Sequence, residues 1–481
     1  MDDVIERELK FDVPVGWQLP DPRPLVPHGG DVREEVVQLR STYFDTEQYD
    51  LARSGVTLRH RTGDTDTGWQ LKVPGAGFRT EIRLPDDGPI VPDELMQLVR
   101  GLTGGAEVRM VATLDTERHL LHLLRDSGVQ LAEIADDRVT AVATGDVAAI
   151  QQWREIEVEL GDGGTKFLDR SARWLTKSGA RPARSGSKLA RTIEVSTGTA
   201  GAGRHDLAGL LQQYLQDQYR ALVGGDIGLR RRENIVHPTR TATRRLRSVL
   251  RAFADVFDPD AAARIDRDLR WYAGRLGGVR DVEVMRSHLL PAQQSLPDSA
   301  ASDATAAHLS RTLDDAERTA RSALDDALLS DRYARMLHDI RTWLESAPVR
   351  TDRPAIDARV YLDAARRTVG KRAARAAKRE ADDEVMHRAR KAAKRARFTA
   401  EVAEPALGKL ARRAAKQMKK AQDRFGRLQD AIVAEEFLHR SAAAADSPAV
   451  GFDVGVLWCR EQNYAMDARA AGRRLARRLS R

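Results

Sequence analysis

Two patterns of hydrophobic and polar positions divide this chain. Over residues 1–196, short runs alternate at every second position: "VIERELKF" (4–11), "GVTLRHR" (55–61), "GWQLKVP" (68–74), "FRTEIRLP" (78–85), "VQLAEIADD" (129–137) and "WREIEVEL" (153–160). Gly, Pro and Asp turns separate them. A period of two marks strands, whose successive side chains point to opposite faces. Helical stretches are predicted near 93–103 and 164–178. After residue 205 apolar residues recur every three or four positions among Ala, Arg, Leu, Asp and Glu, the pattern of packed amphipathic helices. Between the two, "STGTAGAGR" (196–204) reads as a flexible connection. The expectation is an α+β chain: a β domain over 1–196, a linker over 197–204 and an all-helical domain over 205–481.

The polar positions of the strands carry the first chemical signal. Glu6, Glu8 and Lys10 share a face, with Ile5, Leu9 and Phe11 filling the other. Arg59 and Arg61 share a face, as do Arg79, Glu81 and Arg83. Glu155, Glu157 and Glu159 stand opposite Ile156, Val158 and Leu160. A sheet with one wet face alternates in the same way. The sorting of sign is the departure, since some strands present acids and others bases. A closed barrel would turn these charges inward, with carboxylates on one side and cations on the other. Crowded carboxylates raise one another's pKa, and a divalent cation relieves that cost. Mg²⁺ takes a few carboxylates together with substrate phosphate oxygens, while Arg and Lys hold phosphate. The ligand this lumen asks for is a linear phosphate chain bridged to metal.

The order of these segments resembles the CYTH family, the triphosphate tunnel metalloenzymes. "ERELK" (6–10) matches the family's Glu-x-Glu-x-Lys signature. "YFDT" (43–46), "LRHR" (58–61), "WQLKVP" (69–74), "RTEIR" (79–83), "TER" (116–118), "EIADD" (133–137), "EIEVEL" (155–160) and "SGSKLAR" (185–191) follow in family order. The resemblance implies an eight-stranded antiparallel tunnel with flanking helices and metal-dependent attack on a triphosphate. It implies Glu6, Glu8, Asp137, Glu155 and Glu157 as ligands of Mg²⁺ or Mn²⁺. Lys10, Arg59, Arg61, Lys72, Arg79, Arg118 and Lys188 would grip phosphates, with Glu6, Glu8 and Lys10 at the catalytic centre. Strand parity with Glu133 puts Asp137, rather than Asp136, in the lumen. It puts His60 outside.

The helical half repeats itself. "HPTRTATRRLR" begins at His237 and "HRARKAAKRAR" at His387. "LGGVRD" (276–281) follows the first and "FGRLQD" (425–430) the second, so Gly277 and Gly426 lie 40 and 39 residues after their histidines. Asp281 and Asp430 each stand four residues beyond that glycine. At about 100° per residue, His237, Arg240, Arg244, Arg247 and Arg251 share an arc of about 80°. Leu246, Leu250, Phe253 and Phe257 lie opposite. His387, Arg390, Lys394 and Arg397 repeat the arc. Neither block contains an acid, which is unusual for a solvated stripe. The repeats are expected at about 205–290 and 355–440, with a looser connection over 291–308. This half resembles the CHAD domain. That resemblance implies two helical bundles related by a pseudo-twofold axis and polyphosphate held by His237, Arg240, Arg244, Arg245, Arg247, His387, Arg390, Lys394, Arg395 and Arg397.

Charge supports the division. The chain has 79 Lys+Arg and 71 Asp+Glu. Residues 1–200 hold 25 basic and 33 acidic residues, a net of −8, which leaves 54 and 38, a net of +16, for the remainder. A basic half asks for a polyanion. Aromatic residues are only 5% of the chain, which argues against stacking on nucleic-acid bases. No apolar run reaches membrane-spanning length, and the N-terminus lacks the basic and apolar stretches of a secretion signal. With a single cysteine, Cys459, the cytoplasm is the expected compartment, with association with polyphosphate granules. The leading reading is a metal-dependent triphosphatase joined to a polyphosphate-binding module. A non-catalytic polyphosphate scaffold and an adenylate cyclase acting on ATP are the alternatives.

Overall fold

A computed structural model of the protein describes residues 2–63, 67–75, 78–144, 149–193, 206–296, 302–346, 348–349, 357–378 and 380–480. The expected linker over 197–204 lies outside them. The chain forms two compact units, one of residues 1–202 with Tyr219–Asn234, the other of residues 203–218 with Ile235–Arg481.

The first unit is built on strands β1 (Asp2–Glu6), β2 (Glu8–Val13), β3 (Asp31–Asp45), β4 (Thr57–Thr62), β5 (Gly68–Pro74), β6 (Arg79–Leu84), β7 (Arg109–Leu124), β8 (Gln130–Ala143), β9 (Ala149–Leu160) and β10 (Arg181–Pro182). They form one antiparallel sheet in the order β1-β6-β5-β4-β3-β7-β8-β9-β2-β10. This corrects the expected closed, eight-stranded barrel: among the described residues there are ten strands and the ladder stays open. The cause is a break at Arg7. Before it, β1 pairs with β6, Glu6 opposite Arg79; after it, β2 pairs with β9, Lys10 opposite Glu157. One interrupted N-terminal segment therefore supplies the first strand of the ladder, β1, and the next-to-last, β2. The Arg7 carbonyl accepts from the Leu160 N–H at 2.9 Å.

Four helices accompany the sheet: α1 (Asp50–Arg53), α2 (Asp93–Thr103), α3 (Thr165–Lys177) and α4 (Lys188–Thr192). Phe11, Ile134, Ile156 and Val158, from the apolar sides of β2, β8 and β9, pack against Phe167 and Leu175 of α3. Burying such side chains contributes about 1.5–3 kcal/mol each, which commits the alternate, charged positions to the other face. Ile5 departs from the expected filling and is exposed.

The second unit contains α5 (Leu207–Arg230, in part), α6 (Val236–Ala252), α7 (Pro259–Gln294), α8 (Ser302–Leu329), α9 (Asp331–Glu345), α10 (Ala358–Ala376), α11 (Asp383–Leu407), α12 (Lys409–Ala443) and α13 (Pro448–Leu479). Asp258, Asp357, Asp382 and Ser447 cap α7, α10, α11 and α13 by accepting a backbone N–H. Two expectations are corrected. Most of the 291–308 connection is helical, because α7 runs to Gln294 and α8 starts at Ser302. Phe253 and Phe257 fall beyond the end of α6, although both are buried. Both motif glycines, Gly277 and Gly426, lie inside long helices. Among the described residues no helix is long and apolar enough to cross a membrane.

Candidate functional site

The sheet of the first unit encloses a cavity of about 310 Å³ lined almost wholly by charge. Glu157 of its lining belongs to an acidic cage. Asp137 on β8, with Glu155 and Glu157 on β9, bring carboxylate oxygens within 4.8 Å of one another. Adjacent strands and matching parity make this possible, since Asp137 lies directly opposite Glu155. Hard oxygen donors at this spacing suit a divalent cation. The cage centre is held by the Lys188 ammonium of α4, 2.8 Å from Asp137 Oδ2, Glu155 Oε1 and Glu157 Oε1. Arg118 on β7 donates twice to Asp137 at 2.7 Å and once to Glu157 at 3.0 Å.

The remaining predicted residues surround this cage. Lys10 hydrogen-bonds to Glu157 and lies 3.0 Å from Glu8. Lys72 bridges Glu6 at 2.7 Å and Glu81 at 2.9 Å. Arg59 donates to Gln70 at 2.7 Å and Tyr43 at 3.2 Å, while Arg79 donates to the Gly186 carbonyl at 2.8 Å. Glu6 and Glu8 thus line the lumen but are not part of the three-carboxylate cage. The expected separation of acids from bases is also corrected. Glu6, Glu8, Glu81, Asp137, Glu155 and Glu157 each have a cation against them, because an unpaired buried charge costs several kcal/mol.

Burial would raise the Asp137 and Glu157 carboxyls, but Arg118 and Lys188 on the first, and Lys10, Lys188 and Arg118 on the second, hold both below their ordinary range. Burial likewise opposes the Lys188 ammonium, yet its three carboxylates raise it above an ordinary lysine. Arg61 is the exception. Burial, then Arg59 and Arg118, push it down to about 10. Its Nε is buried without a hydrogen-bond partner.

In the second unit the basic helices α6 and α11 of the two repeats pack together. Arg240, Arg244, Arg390 and Lys394 converge. Burial, then Arg244, Arg390, Arg247 and Arg240, push Lys394 down to about 7. Burial, then Arg240, Arg390, Arg397 and Arg245, lower Arg244 to about 10. Among the described residues no carboxylate lies within ion-pair distance of Arg244 or Lys394. Buried Nε atoms of Arg244 and Arg390 have no hydrogen-bond partner. The repeated glycines now have a physical reason. A Cβ on Gly277 would meet Arg240 Nε at 3.8 Å, and one on Gly426 would meet Arg390 Nε at 3.5 Å. Each glycine leaves beside the guanidinium a space that a side chain longer than alanine would fill, and the aspartate one turn on faces it. Arg240 lies 3.7 Å from Asp281.

The other predicted cations are placed differently. Arg245 and Arg397 share Glu401, at 3.2 and 2.9 Å, and Tyr214 also donates to it. Arg247 pairs with Asp266 at 3.1 Å. Arg395 is exposed, near Arg251 and Arg372. His237 is exposed as well. Burial and then Arg280, Arg244 and Arg240 keep it below the ordinary histidine pKa; burial and then Lys391 and Arg390 do the same to His387.

Comparison with known proteins assigns both units. Residues 4–193 match the CYTH domain and residues 213–439 the CHAD domain. An uncharacterized protein of Mycobacterium tuberculosis, present in strains CDC 1551 and H37Rv, is 35% identical over 490 residues, spanning 96% of this chain and 93% of that one. This chain belongs to the proteins in which a CYTH domain precedes a CHAD domain. PptA from Streptomyces chartreusis is similar over 57% of this chain and 99% of its own, with 20% identity and a TM-score of 0.49. The CHAD domain from the plant Ricinus communis is similar over 56% and 92%, with 26% identity and a TM-score of 0.46.

Within the CYTH domain, sequence reasoning left residues out. Glu81 and Arg83 were placed on a common face but given no role. Burial would raise Glu81, and Lys72 and Arg59 draw it far below the ordinary range. Tyr43, Glu35, Glu133, Glu159 and His122 also line the lumen. For Tyr43, Glu35 and His122 the signal was parity along β3 and β7, two strands the alternation did not reveal, whereas Glu133 and Glu159 share the parity of Asp137 and Glu157 on β8 and β9. Asp45 of "YFDT" proves to be scaffolding. Its buried carboxylate accepts from the N–H groups of Thr46, Leu51 and Ala52 at 2.7–2.9 Å, tying β3 to α1. Asp136 points away from the lumen and pairs with Arg154 at 2.6 Å, and His60 bonds Asp86 at 2.8 Å.

Proposed function

We propose that the CYTH domain hydrolyses inorganic triphosphate, or a related triphosphate, in a metal-dependent reaction, and that the CHAD domain holds polyphosphate. The observation that carries this reading is the pairing, in one lumen, of an acidic cage with the buried Arg61, whose Nε lacks a hydrogen-bond partner. CYTH proteins are generally triphosphate tunnel metalloenzymes. Asp137, Glu155 and Glu157 would hold Mg²⁺ or Mn²⁺, which when bound neutralises phosphoryl oxygens and activates water. Arg59, Arg61, Lys72 and Arg79 grip the phosphate chain, while Arg118 holds Asp137 and Glu157, and Lys10 holds Glu157, ionised and in place. Glu6 and Glu8, which line the lumen outside the cage, would accept the proton of the attacking water. In the CHAD domain, Arg240, Arg244, Arg390 and Lys394 form the centre of the polyanion track, with His237, Arg245, Arg247, His387, Arg395 and Arg397 at its margins.

Phosphate release from tripolyphosphate, ATP and long-chain polyphosphate, each with Mg²⁺ or Mn²⁺, tests this. Tripolyphosphate turnover that falls at least 100-fold in Glu8→Gln supports it, with folding of the variant checked by circular dichroism. Absence of metal-dependent release from all three overturns it, and pyrophosphate released from ATP would favour the cyclase reading.

A further inference from the structure

In the lumen, one ammonium sits where three carboxylates meet. Lys188 Nζ is 2.8 Å from an oxygen of each of Asp137, Glu155 and Glu157, and its side chain is only 9% exposed. An ion at the centre of three such oxygens stands in their common coordination position. Divalent cations of the Mg²⁺ type bind carboxylate oxygen at about 2.0–2.1 Å, so the ammonium and a metal cannot share that centre. Lys188 must leave before the cage can coordinate one.

Its surroundings decide whether it can leave. Beyond the cage, Arg118 works against the Lys188 charge, and Lys188 in turn works against that of Lys10. On the side of Tyr43, Arg59 and Arg61 already act on the phenol together with Lys188. Arg61 has no hydrogen-bond partner for its Nε. An expelled ammonium would therefore enter a crowd of like charge in a poorly solvated space, while the lumen gained two further positive charges. A phosphate chain removes both objections, because it supplies anionic oxygens to Lys188 and Arg61 at once.

We propose that Lys188 is the resident cation of the cage. The CYTH lumen then takes metal and phosphate together, as a metal–phosphate complex, and binds free metal poorly. This rests on the reading of the cage as a metal site and adds a binding order to it. Lys188 changes partner from three carboxylates to phosphate, and the two ligands favour one another through that exchange, each raising the other's affinity by the same factor.

Calorimetry on the full chain tests it with Mn²⁺ alone, with imidodiphosphate alone in EDTA, and with both. Imidodiphosphate carries P–N–P in place of P–O–P and is not turned over, and its affinity for Mn²⁺ in solution is measured separately and subtracted. Wild type should bind Mn²⁺ alone weakly, and imidodiphosphate should raise that affinity at least 10-fold. Lys188→Met should bind Mn²⁺ alone at least 10-fold more tightly than wild type, with the coupling factor falling toward one. Its melting temperature should fall in EDTA and rise more with Mn²⁺ than that of wild type. Should Lys188→Met fail to fold, Lys188→Gln with the same readouts replaces it. If the variants bind Mn²⁺ no more tightly than a wild type that binds and turns over substrate, the exchange is wrong and the metal-site reading stands. If no form binds Mn²⁺ with or without imidodiphosphate, both are wrong.

Discussion

The Lys394 ammonium lies in a crowd of arginines, and burial followed by Arg244, Arg390, Arg247 and Arg240 brings its pKa to about 7. In the unfolded chain an ordinary lysine titrates near 10.5. Between these values the unfolded state binds the extra proton, so stability rises with pH from about 7 to about 10.5. A polyanion reverses the crowding and restores the proton. At pH 8, polyphosphate binding should therefore take up about one proton, measured by calorimetry in buffers of different ionisation enthalpy. Lys394→Arg should abolish the uptake. Glu159 behaves oppositely: burial, then Glu6, push its carboxyl up to about 7. The folded state holds a proton that the unfolded state releases above its usual value of 4.5, so stability falls as pH rises across that window. At pH 8 in EDTA, Glu159→Gln should be more stable than wild type by on the order of 1–3 kcal/mol, read by denaturant unfolding. Orientation at this scale was legible in the sequence. Strand parity is rigid, so Asp137 faces inward and Asp136 outward. Pairing was not legible, because which cation meets which acid depends on strand order and on side-chain reach.

Between elements, the repeated glycines act as clearances in α7 and α12. Gly426→Ala should be tolerated, since a Cβ at 3.5 Å from Arg390 is ordinary contact, and alanine favours a helix by about 1 kcal/mol over glycine. Gly426→Leu should expel the Arg390 guanidinium and weaken polyphosphate binding about 10-fold, roughly 1.4 kcal/mol, with the melting temperature kept within a few degrees. A fluorescence titration with long-chain polyphosphate checks both. The spacing of the glycines was legible; their purpose required seeing α6 and α11 beside them. The elements that escaped notice were the long strands β3 and β7. "RMVATLDTERHLLHLL" ends in a leucine-rich run with no alternation, and "DVREEVVQLRSTYFD" places like residues side by side. Their 15 paired positions override these weak local patterns.

For the whole molecule, the duplicated basic blocks predict a strong dependence on salt. If Arg240, Arg244, Arg390 and Lys394 each neutralise one phosphate, log affinity for polyphosphate should fall against log salt with a slope of about −3, taking roughly 0.7 per contact from single-stranded nucleic acids. Arg244→Ala with Lys394→Ala should reduce the slope to about half. Equal slopes in the two proteins, measured from 50 to 300 mM KCl (about the range in which such slopes are read), would separate these residues from the track.

The break at Arg7 has a consequence for how the chain comes to be folded. Residues 2–13 are the first of the described segments to be synthesised, yet their partners lie far downstream: Glu6 opposite Arg79, Lys10 opposite Glu157. Long-range pairings of this kind are slow to close, because chain entropy is lost before contacts form. During synthesis β1 must wait, exposed, until β6 has left the ribosome, and β2 until β9 has. The charged residues Glu6, Glu8 and Lys10 then keep the waiting strands from joining another chain, as charges on an exposed edge do. The residues that would work on phosphate in the finished lumen also protect the unfinished one.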